Sequence, residues 1–248
     1  MGEIDNMFWE IHRDIPREGP GDDKSTRKAL QMLTNIPIQA NVLDVGCGPG
    51  MQTIELARNL DGKIVALDNH QSFLDVLNRS AEENGMINKI TPVNGSMFSM
   101  DFEQHSFDLI WAEGSVYIIG FERGLKEWSK YLKQSGFIVV TEISWLKKDI
   151  PEEPKTFWET NYPEMQSISR NIKTIEDLGF RPIGHFILPE SSWWENYYFP
   201  LEKRICSLRQ QYKDGDRANK ELDEAQYEIN LYRRYSQYYG YVFYLMQK

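Results

Sequence analysis

The chain has 248 residues, of which 41% are apolar and 26% charged, so it can bury a substantial core in one large domain or two small ones. Its formal net charge of −9 argues against a nucleic acid partner, because an acidic surface repels a polyanion. No run of about eighteen apolar residues occurs, and the first residues are acidic rather than basic and then apolar. These features predict a soluble, cytoplasmic protein without a membrane partner.

Cysteine and histidine are too sparse to predict a disulfide framework or a metal centre. The chain has two cysteines, Cys47 and Cys206. Cys47 lies within a glycine-rich motif, where the small size of its side chain explains its presence. The histidines are scattered without metal-ligand spacing, at His12, His70, His105 and His185. The sequence therefore predicts no bound metal.

The first part of the chain, residues 1–38, is predicted to form a lid and one helix. Prolines and glycines interrupt residues 16–21, and the helix that follows has Asp23 or Ser25 as its N-cap and ends before Pro37. Three apolar side chains ahead of this stretch need cover: Phe8, Trp9 and Ile11. A flexible segment that carries apolar side chains is typical of a lid that excludes water from a site, although a plain surface extension explains it too.

Residues 39–146 alternate between strands and helices, which is typical of parallel βαβ units. The predicted strands are rich in Val, Ile, Leu and Phe, as strands buried on both faces should be, and span Asn41–Val45, Lys63–Leu67, Lys89–Val93, Phe107–Ala112 and Phe137–Ile143. Helices are predicted between them at Gln52–Leu60, Ser72–Asn84 and Glu122–Lys133.

Beyond residue 146, prolines break up an aromatic stretch before a predicted helix at Ser167–Leu178 and two strands at Ile183–Leu188 and Tyr241–Met246. Residues 189–240 are predicted to form a helical cap between these strands, because apolar residues recur there at steps of three and four: Leu222, Ala225, Ile229 and Tyr232. No internal repeat occurs, so we expect residues 1–248 to form a single domain with an embedded cap.

A glycine turn follows the first predicted strand and opens the next helix, in the stretch Asp44-Val45-Gly46-Cys47-Gly48-Pro49-Gly50. Backbone N–H groups and the helix dipole face a ligand at such a position, and a Cβ there would hold the ligand away. A tight turn that binds nothing is the simpler alternative.

The spacing of the turn separates the candidate ligands. A dinucleotide fingerprint needs a third glycine at position 51, which is Met51, and no Gly-Lys-Ser/Thr follows for a phosphate loop. Asp44, two residues before Gly46, is unfavourable beside a pyrophosphate and suitable beside a cationic amino acid moiety. The pattern therefore argues against an oxidoreductase that uses a nicotinamide cofactor.

Asp44-x-Gly46-x-Gly48-x-Gly50 resembles the first motif of the class I, seven-strand S-adenosylmethionine-dependent methyltransferases. Asp68 ends the second predicted strand 24 residues after Asp44, and resembles the family's second motif, whose carboxylate accepts the ribose hydroxyls. A helix N-cap is the alternative role for Asp68. Asn94-Gly95-Ser96-Met97 resembles the loop along the adenine edge, although many relatives have Asp where Ser96 stands.

Two later segments extend the resemblance. Residues 107–114 resemble the fourth-strand motif, and residues 132–137 resemble the turn before strand five, with Ser135 where Gly is commoner. The resemblance implies S-adenosylmethionine as cofactor, held by Asp44, Gly46, Cys47, Gly48, Gly50, Asp68, Asn69, Ser96, Met97 and Glu113. Glu113 is also a candidate for a catalytic base, and the alternative is that it only orients the cofactor through its backbone carbonyl.

The resemblance also implies the fold: an α/β, doubly wound, mostly parallel seven-stranded sheet with helices on both faces, an antiparallel last strand and a helical cap inserted between the last two strands. The layout looks most like the small-molecule methyltransferases related to quinone-biosynthesis enzymes. Residues 113–117 lack the Asn/Asp-Pro-Pro-Tyr/Phe stretch typical of family members that methylate nucleobases or glutamine. We therefore expect a small-molecule substrate.

Methyl transfer is an in-line displacement in which a neutral thioether leaves, so positioning can supply most of the rate, and a base is needed only if the acceptor atom carries a proton. The candidate catalytic residues are Glu142, Tyr117 and His12. For Tyr117 the alternative is packing, and for Glu142 it is a strand-end cap. A non-catalytic cofactor-binding subunit is the alternative function.

Aromatic residues of the second half have two interpretations. They line a substrate pocket, or they pack the cap against the sheet or form a homodimer face. The residues are Trp145, Trp158, Trp193, Trp194, Tyr197, Tyr198 and Phe199.

Overall fold

The computed structural model of the chain describes residues 4–13, 15–212 and 216–248. Residues 1–3 and 14 of the predicted lid, and 213–215 of the predicted cap, lie outside this description. The strands are β1 (Asn41–Val45), β2 (Lys63–Asp68), β3 (Ile90–Asn94), β4 (Phe107–Ala112), β5 (Leu132–Trp145), β6 (Gln166–Ser167), β7 (Arg181–Ile187) and β8 (Tyr239–Gln247). The helices are α1 (Ile4–His12), α2 (Asp23–Gln31), α3 (Met51–Asn59), α4 (Gln71–Glu83), α5 (Phe121–Trp128), α6 (Glu152–Asn161), α7 (Ile168–Asp177), α8 (Glu190–Trp193), α9 (Phe199–Gln211) and α10 (Asp216–Tyr235).

The strands form one sheet in the order β3-β2-β1-β4-β5-β8-β7, with the short β6 paired to β5. The pairs among β3, β2, β1, β4 and β5 are parallel, whereas β8 runs antiparallel to both β5 and β7. The predicted doubly wound sheet with an antiparallel last strand is confirmed. Its order reverses between β1 and β4, which is where open sheets of this kind bind ligands.

Both faces of the sheet are covered, which explains why the central strands lack polar alternation. One core layer contains Val42, Leu109 and Val139 together with residues of α2, α3, α4 and the cap. The opposite layer contains Leu43 and Ile110 together with residues of α5 and α7. Strand positions therefore alternate between two buried layers rather than between core and solvent.

The structure differs from the sequence prediction in the segment between α5 and β5. The helix predicted at Glu122–Lys133 ends at Trp128, and β5 begins at Leu132 rather than at Phe137. Ser135 interrupts the pairing region with φ of 64°, in the left-handed range that glycine adopts without strain. This backbone geometry explains why glycine is the commoner residue at this position in the family that the chain resembles.

Two helices, α1 and α6, were not predicted. Pro154 lies in the first turn of α6, where backbone N–H groups have no carbonyl partner within the helix. The missing N–H of the proline therefore does not break the helix. In α1, Met7 and Ile11 are buried against the core, so this helix depends on tertiary contacts rather than on its own composition.

The start of α2 is tied to the cap. Its N-cap is Asp22, one residue before the predicted Asp23, and the Asp22 carboxylate accepts the Ser25 N–H at 2.7 Å. The Ser192 hydroxyl of α8 donates to the same carboxylate, and the Gly21 N–H donates to the Ser192 carbonyl at 3.1 Å. The chain ahead of α2 is therefore held by the cap as well as by the sheet.

The helical cap between β7 and β8 consists of α8, a π-helical turn at Trp194–Tyr198, α9 and α10. Trp193 is buried and stacks on Tyr232, with ring centroids 4.1 Å apart, and on Tyr241 of β8 at 5.3 Å. Aromatic side chains here pack the cap against the sheet, as one of the two interpretations proposed. The division of the chain into one domain with a lid and a cap stays a prediction.

Candidate functional site

A cleft lies at the carboxyl ends of β1, β2 and β4, next to the point where the strand order reverses. Nine of the predicted site residues line it: Gly46, Cys47, Gly48, Asp68, Asn69, Ser96, Met97, Glu113 and Tyr117. Asp44 and Gly50 belong to the same turn but are not among the lining residues. Glu142 and His12 do not line the cleft either. The structure thus brings most of the predicted cofactor residues together, with one of the three predicted catalytic residues.

The glycine turn is fixed by its own hydrogen bonds. The N–H groups of Gly46 and Cys47 both donate to the Leu67 carbonyl, at 2.8 and 3.0 Å, and Gly50 donates to the Cys47 carbonyl at 3.1 Å. The Gly48 N–H donates to an Asp68 carboxylate oxygen at 2.9 Å, and Pro49 has no N–H. Every N–H from Gly46 to Gly50 is therefore used within the chain, and none is left for a phosphate.

The glycines of the turn serve different contacts. A Cβ on Gly46 would overlap Ser115, and one on Gly50 would overlap Leu77 of α4, so both allow close packing of neighbouring segments. A Cβ on Gly48 would instead stand in the cleft, where the nearest atom is Glu18 Cγ, 3.7 Å away. All three have positive φ, which glycine adopts without strain. Only Gly48 is open towards a ligand.

Asp68 is held in place by two backbone donors. Its carboxylate accepts the Gly48 N–H and the His70 N–H, both at 2.9 Å. The N-cap position of α4 is occupied by His70, so the alternative role of Asp68 as the N-cap residue is wrong. A carboxylate has about four lone-pair sites, so two remain for a ligand in the cleft that Asp68 lines.

Asp44 is fully buried beneath the turn. Its Oδ2 accepts the Thr53 hydroxyl at 2.6 Å and the Gln52 amide at 3.4 Å, whereas Oδ1 finds no partner among the described residues. Burial, and next to it the negative charge of Glu113, raises the pKa of Asp44 to about 7, although the Thr53 bond favours the charged form. A cationic group nearby would supply the missing interaction.

Glu113, at the end of β4, anchors the segment that joins α1 to α2. Its carboxylate accepts hydrogen bonds from the Arg17 guanidinium at 2.8 Å, the Thr26 hydroxyl at 2.6 Å and the Trp111 indole at 2.9 Å. The Arg17–Glu113 ion pair is buried, so removal of either residue would leave the other without its counter-charge in the interior. The Glu113 side chain therefore holds the chain over the cleft.

Arg17 and Glu18 are lining residues that the sequence reasoning missed. Both oxygens of the Glu18 carboxyl are shielded from solvent and unpartnered within the described part of the chain. Burial, and next to it the charge of Asp68, raises the pKa of Glu18 to about 8. The sequence signal for these two residues is a pair of opposite charges directly before Gly19-Pro20-Gly21. From composition alone, this stretch is predicted to be flexible.

Helix α1 crosses from the edge of the sheet to the cap. Trp9 stacks on His70, with ring centroids 3.8 Å apart and planes 9° apart. Glu10 forms an ion pair with Arg204 of α9 at 3.0 Å. Phe8 and Trp9 also line the cleft, so α1 covers part of it as the lid prediction requires. Its opening and closing stay a prediction.

The predicted catalytic residues differ in their surroundings. Tyr117 lines the cleft, and its ring lies 6.0 Å from that of Tyr162. Glu142 is 1% exposed, and burial raises its pKa to about 8, with Tyr162 partly opposing the shift. His12 is buried behind Phe8, its Nδ1 lies 2.9 Å from the Phe8 carbonyl, and burial lowers its pKa.

The described residues contain no group of three or more His, Cys, Asp or Glu side chains placed to hold a metal ion. Among the helices of residues 4–13, 15–212 and 216–248, none is long and apolar enough to cross a membrane. Burial raises the pKa of the Cys47 thiol well above its usual value, so this cysteine stays protonated in the turn.

Comparison with known proteins agrees with this geometry. Residues 42–136 match the family model described as methyltransferase domain. The matched segment contains the glycine turn, Asp68 and Glu113. The sterol 24-C-methyltransferase of Aspergillus fumigatus is 36% identical over 170 residues, which cover 64% of this chain and 45% of the relative. The chain thus matches less than half of that relative's length.

Two solved structures share the fold over nearly the whole chain. The S-adenosylmethionine-dependent methyltransferase of Geobacter sulfurreducens, solved with S-adenosylhomocysteine, has a TM-score of 0.82 at 18% identity and covers 99% of both chains. That of Thiobacillus denitrificans, also with S-adenosylhomocysteine, has a TM-score of 0.84 at 17% identity and covers 99% of this chain and 98% of the other. The fold of the methyltransferase domain therefore extends through the cap.

We predict that Glu142→Gln changes the pH dependence of stability. The pKa of Glu142 is about 8 in the folded chain and near its ordinary value of 4.5 in the unfolded one. Folding therefore favours the protonated form, and the free energy of unfolding falls as pH rises between these values, by at most about 1.4 kcal/mol per pH unit. Glutamine has no such proton to lose.

Urea unfolding of both proteins at about pH 5.5 and about pH 7.5 measures this effect. The free energy of unfolding of the variant, measured relative to that of the parent chain, should increase by at least about 1 kcal/mol from the lower to the higher pH. All other groups titrate in both proteins, so their contributions cancel in this difference. A difference in stability that does not change with pH would contradict the raised pKa of Glu142.

Proposed function

We propose that the chain is an S-adenosylmethionine-dependent methyltransferase that transfers a methyl group to a small-molecule acceptor by in-line displacement. The observation that carries the proposal is the hydrogen bond from the Gly48 N–H to Asp68, which joins the glycine turn and the acid after β2 in one cleft. The methyltransferase domain at residues 42–136 supports it. The sulfonium of the cofactor supplies the activated methyl group.

The residues present fit that cofactor. Gly48 leaves room above the turn, and the lone pairs of Asp68 that Gly48 and His70 leave open suit ribose hydroxyls. The unpartnered Oδ1 of Asp44 suits the ammonium of the amino acid end. A pyrophosphate would find no free N–H in the turn and would meet the buried carboxyl of Asp44, which argues against the nicotinamide-dependent alternative.

We predict that the purified chain binds S-adenosylmethionine and S-adenosylhomocysteine, and that Asp68→Ala weakens both. The loss should be about 1.5–3 kcal/mol, the scale for hydrogen bonds to a charged group, or about tenfold to 150-fold in affinity. Isothermal titration calorimetry measures it.

Asp61→Ala is the matched control for this test, because the Asp61 side chain is 78% exposed and pairs with Lys89 at 3.6 Å. It should leave affinity unchanged. A folded Asp68→Ala protein with the parent affinity, verified by its thermal unfolding, would rule out the ribose assignment.

We propose that the acceptor has an apolar body. Four large apolar side chains that are at least two-fifths exposed lie together along the cleft, and a cluster of this kind is typical of a ligand-binding groove: Phe8, Phe98, Tyr117 and Ile118. The relative from Aspergillus fumigatus is named for a sterol, which is an apolar acceptor. A relation to quinone-biosynthesis enzymes would fit the same chemistry.

Incubation with methyl-labelled cofactor and a cell extract, divided into solvent-extractable and water-soluble fractions, tests this proposal. We predict labelled product in the solvent-extractable fraction. Label confined to water-soluble products would refute an apolar acceptor. Absence of label from every fraction would instead favour the non-catalytic cofactor-binding subunit.

His12 and Glu142 remain our candidates for a base, with Tyr117 at the cleft to orient the acceptor. His12 is the better base near neutral pH, because its lowered pKa keeps the ring neutral, whereas a carboxyl with a pKa of about 8 is mostly protonated there. We predict that His12→Ala lowers turnover of an acceptor that loses a proton by about 10²- to 10⁴-fold, at nearly unchanged cofactor affinity.

The exposed His185 provides the control, and His185→Ala should keep the parent turnover. If neither His12→Ala nor Glu142→Gln slows the reaction by about tenfold, the enzyme works by positioning alone or its base lies elsewhere. A homodimer, a cytoplasmic location and the absence of nucleic acid and membrane partners stay predictions from the sequence.

A further inference from the structure

The guanidinium of Arg17 has one bonded end and one free end. Nη2 donates to Glu113 at 2.8 Å, whereas the buried Nη1 has no hydrogen-bond partner within the residues that the structure describes. The whole residue is 4% exposed and lines the cleft. A buried charged donor without a partner is unfavourable, so a ligand that accepts from Nη1 would recover free energy.

The position of this guanidinium is fixed from two sides. A Cβ on Gly21 would overlap it, so the backbone at Gly21 packs directly against the charged group. Glu113 holds the opposite end, and Gly21 itself is bonded to Ser192 and Asn196 of the cap. A donor held in this way is preorganised, and binding requires little further ordering of the side chain.

We infer that Arg17 binds the carboxylate at the amino acid end of the cofactor, an assignment that rests on the proposed function. A planar guanidinium is the side chain best suited to a carboxylate, and Arg17 lines the cleft that contains the glycine turn.

The charges around the turn complement a zwitterion. Arg17 Nη1 is a buried cationic donor without a partner, and Asp44 Oδ1 is a buried acidic acceptor without one, among the residues described. The two groups are close enough for the Arg17 charge to favour the ionised form of Asp44. An α-amino acid has one carboxylate and one ammonium, so it can satisfy both groups at once.

Truncation of the ligand separates this role from a structural one. S-Adenosylhomocysteine contains the amino acid end, whereas 5′-methylthioadenosine keeps the adenosine and the thioether and lacks that end. Arg17→Met should weaken binding of S-adenosylhomocysteine by about tenfold to 100-fold and leave that of methylthioadenosine within about twofold, as measured by calorimetry. Arg13→Met, at an exposed arginine of the same region, should change neither.

Arg17→Met leaves the buried Glu113 carboxylate without its cation, so a second variant protects the test against misfolding. In Arg17→Met/Glu113→Gln the glutamine oxygen can still accept from Thr26 and Trp111, and the same selective loss for S-adenosylhomocysteine is expected. Equal weakening of both ligands, or unchanged binding of S-adenosylhomocysteine, would overturn the assignment to the cofactor carboxylate. A parent chain that binds neither ligand would refute the proposed function itself.

Discussion

The glycine turn after β1 determines what this cleft can bind, because its backbone is already committed. Gly46 and Cys47 donate to the end of β2, Gly48 donates to Asp68, and Gly50 closes the turn on Cys47. In phosphate-binding turns the same N–H groups face the ligand. Here the turn shapes the cleft without offering N–H groups to a ligand. Recognition of a ligand therefore depends on the side chains around the turn.

Those side chains come from three separate parts of the chain. The end of β2 supplies Asp68, the loop after β3 supplies Ser96 and Met97, and the segment between α1 and α2 supplies Arg17. The buried Arg17–Glu113 ion pair connects the last part to the end of β4 across 96 positions of sequence. Removal of one partner would leave a buried charge. The stability of the segment between α1 and α2 is therefore coupled to that of the sheet end that carries Glu113.

Buried carboxyl groups are a second consequence of this enclosure. Burial raises the pKa of Asp44, Glu18 and Glu142 to between about 7 and about 8. Each group costs free energy when it ionises in the folded chain, and a cationic ligand beside it would offset that cost. The surroundings of Asp44 and Glu18 are therefore better suited to a cation than to an anion, which agrees with a sulfonium cofactor.

The sequence predicted the parts of the molecule that local signals encode. β1 and β4 have the predicted bounds, and the glycine turn and Asp68 meet in the cleft, because strand periodicity and turn spacing are properties of adjacent residues. Other features depend on distant contacts. The early start of β5 at Leu132 depends on its pairing with Phe107 of β4, and α1 depends on burial against the core.

Arg17 shows why the remaining site residues were missed. Nothing in the stretch Arg17-Glu18-Gly19-Pro20-Gly21 predicts that its charges are buried, since their partners lie on β4 and around the cleft. Glu142 illustrates the reverse case. Its position near the end of a strand suggested the site, yet the structure places its buried carboxyl beside Tyr162 and outside the cleft lining.

A crystal structure of the chain with S-adenosylhomocysteine tests the central claim most directly. The account predicts the ribose hydroxyls within hydrogen-bond distance of the Asp68 carboxylate, the amino acid end above Gly46 and Gly48, and the N–H groups of the turn still bonded to Leu67 and Asp68. A ligand bound in another cavity, or a turn that releases Leu67 and Asp68 to donate its N–H groups to the ligand, would contradict it.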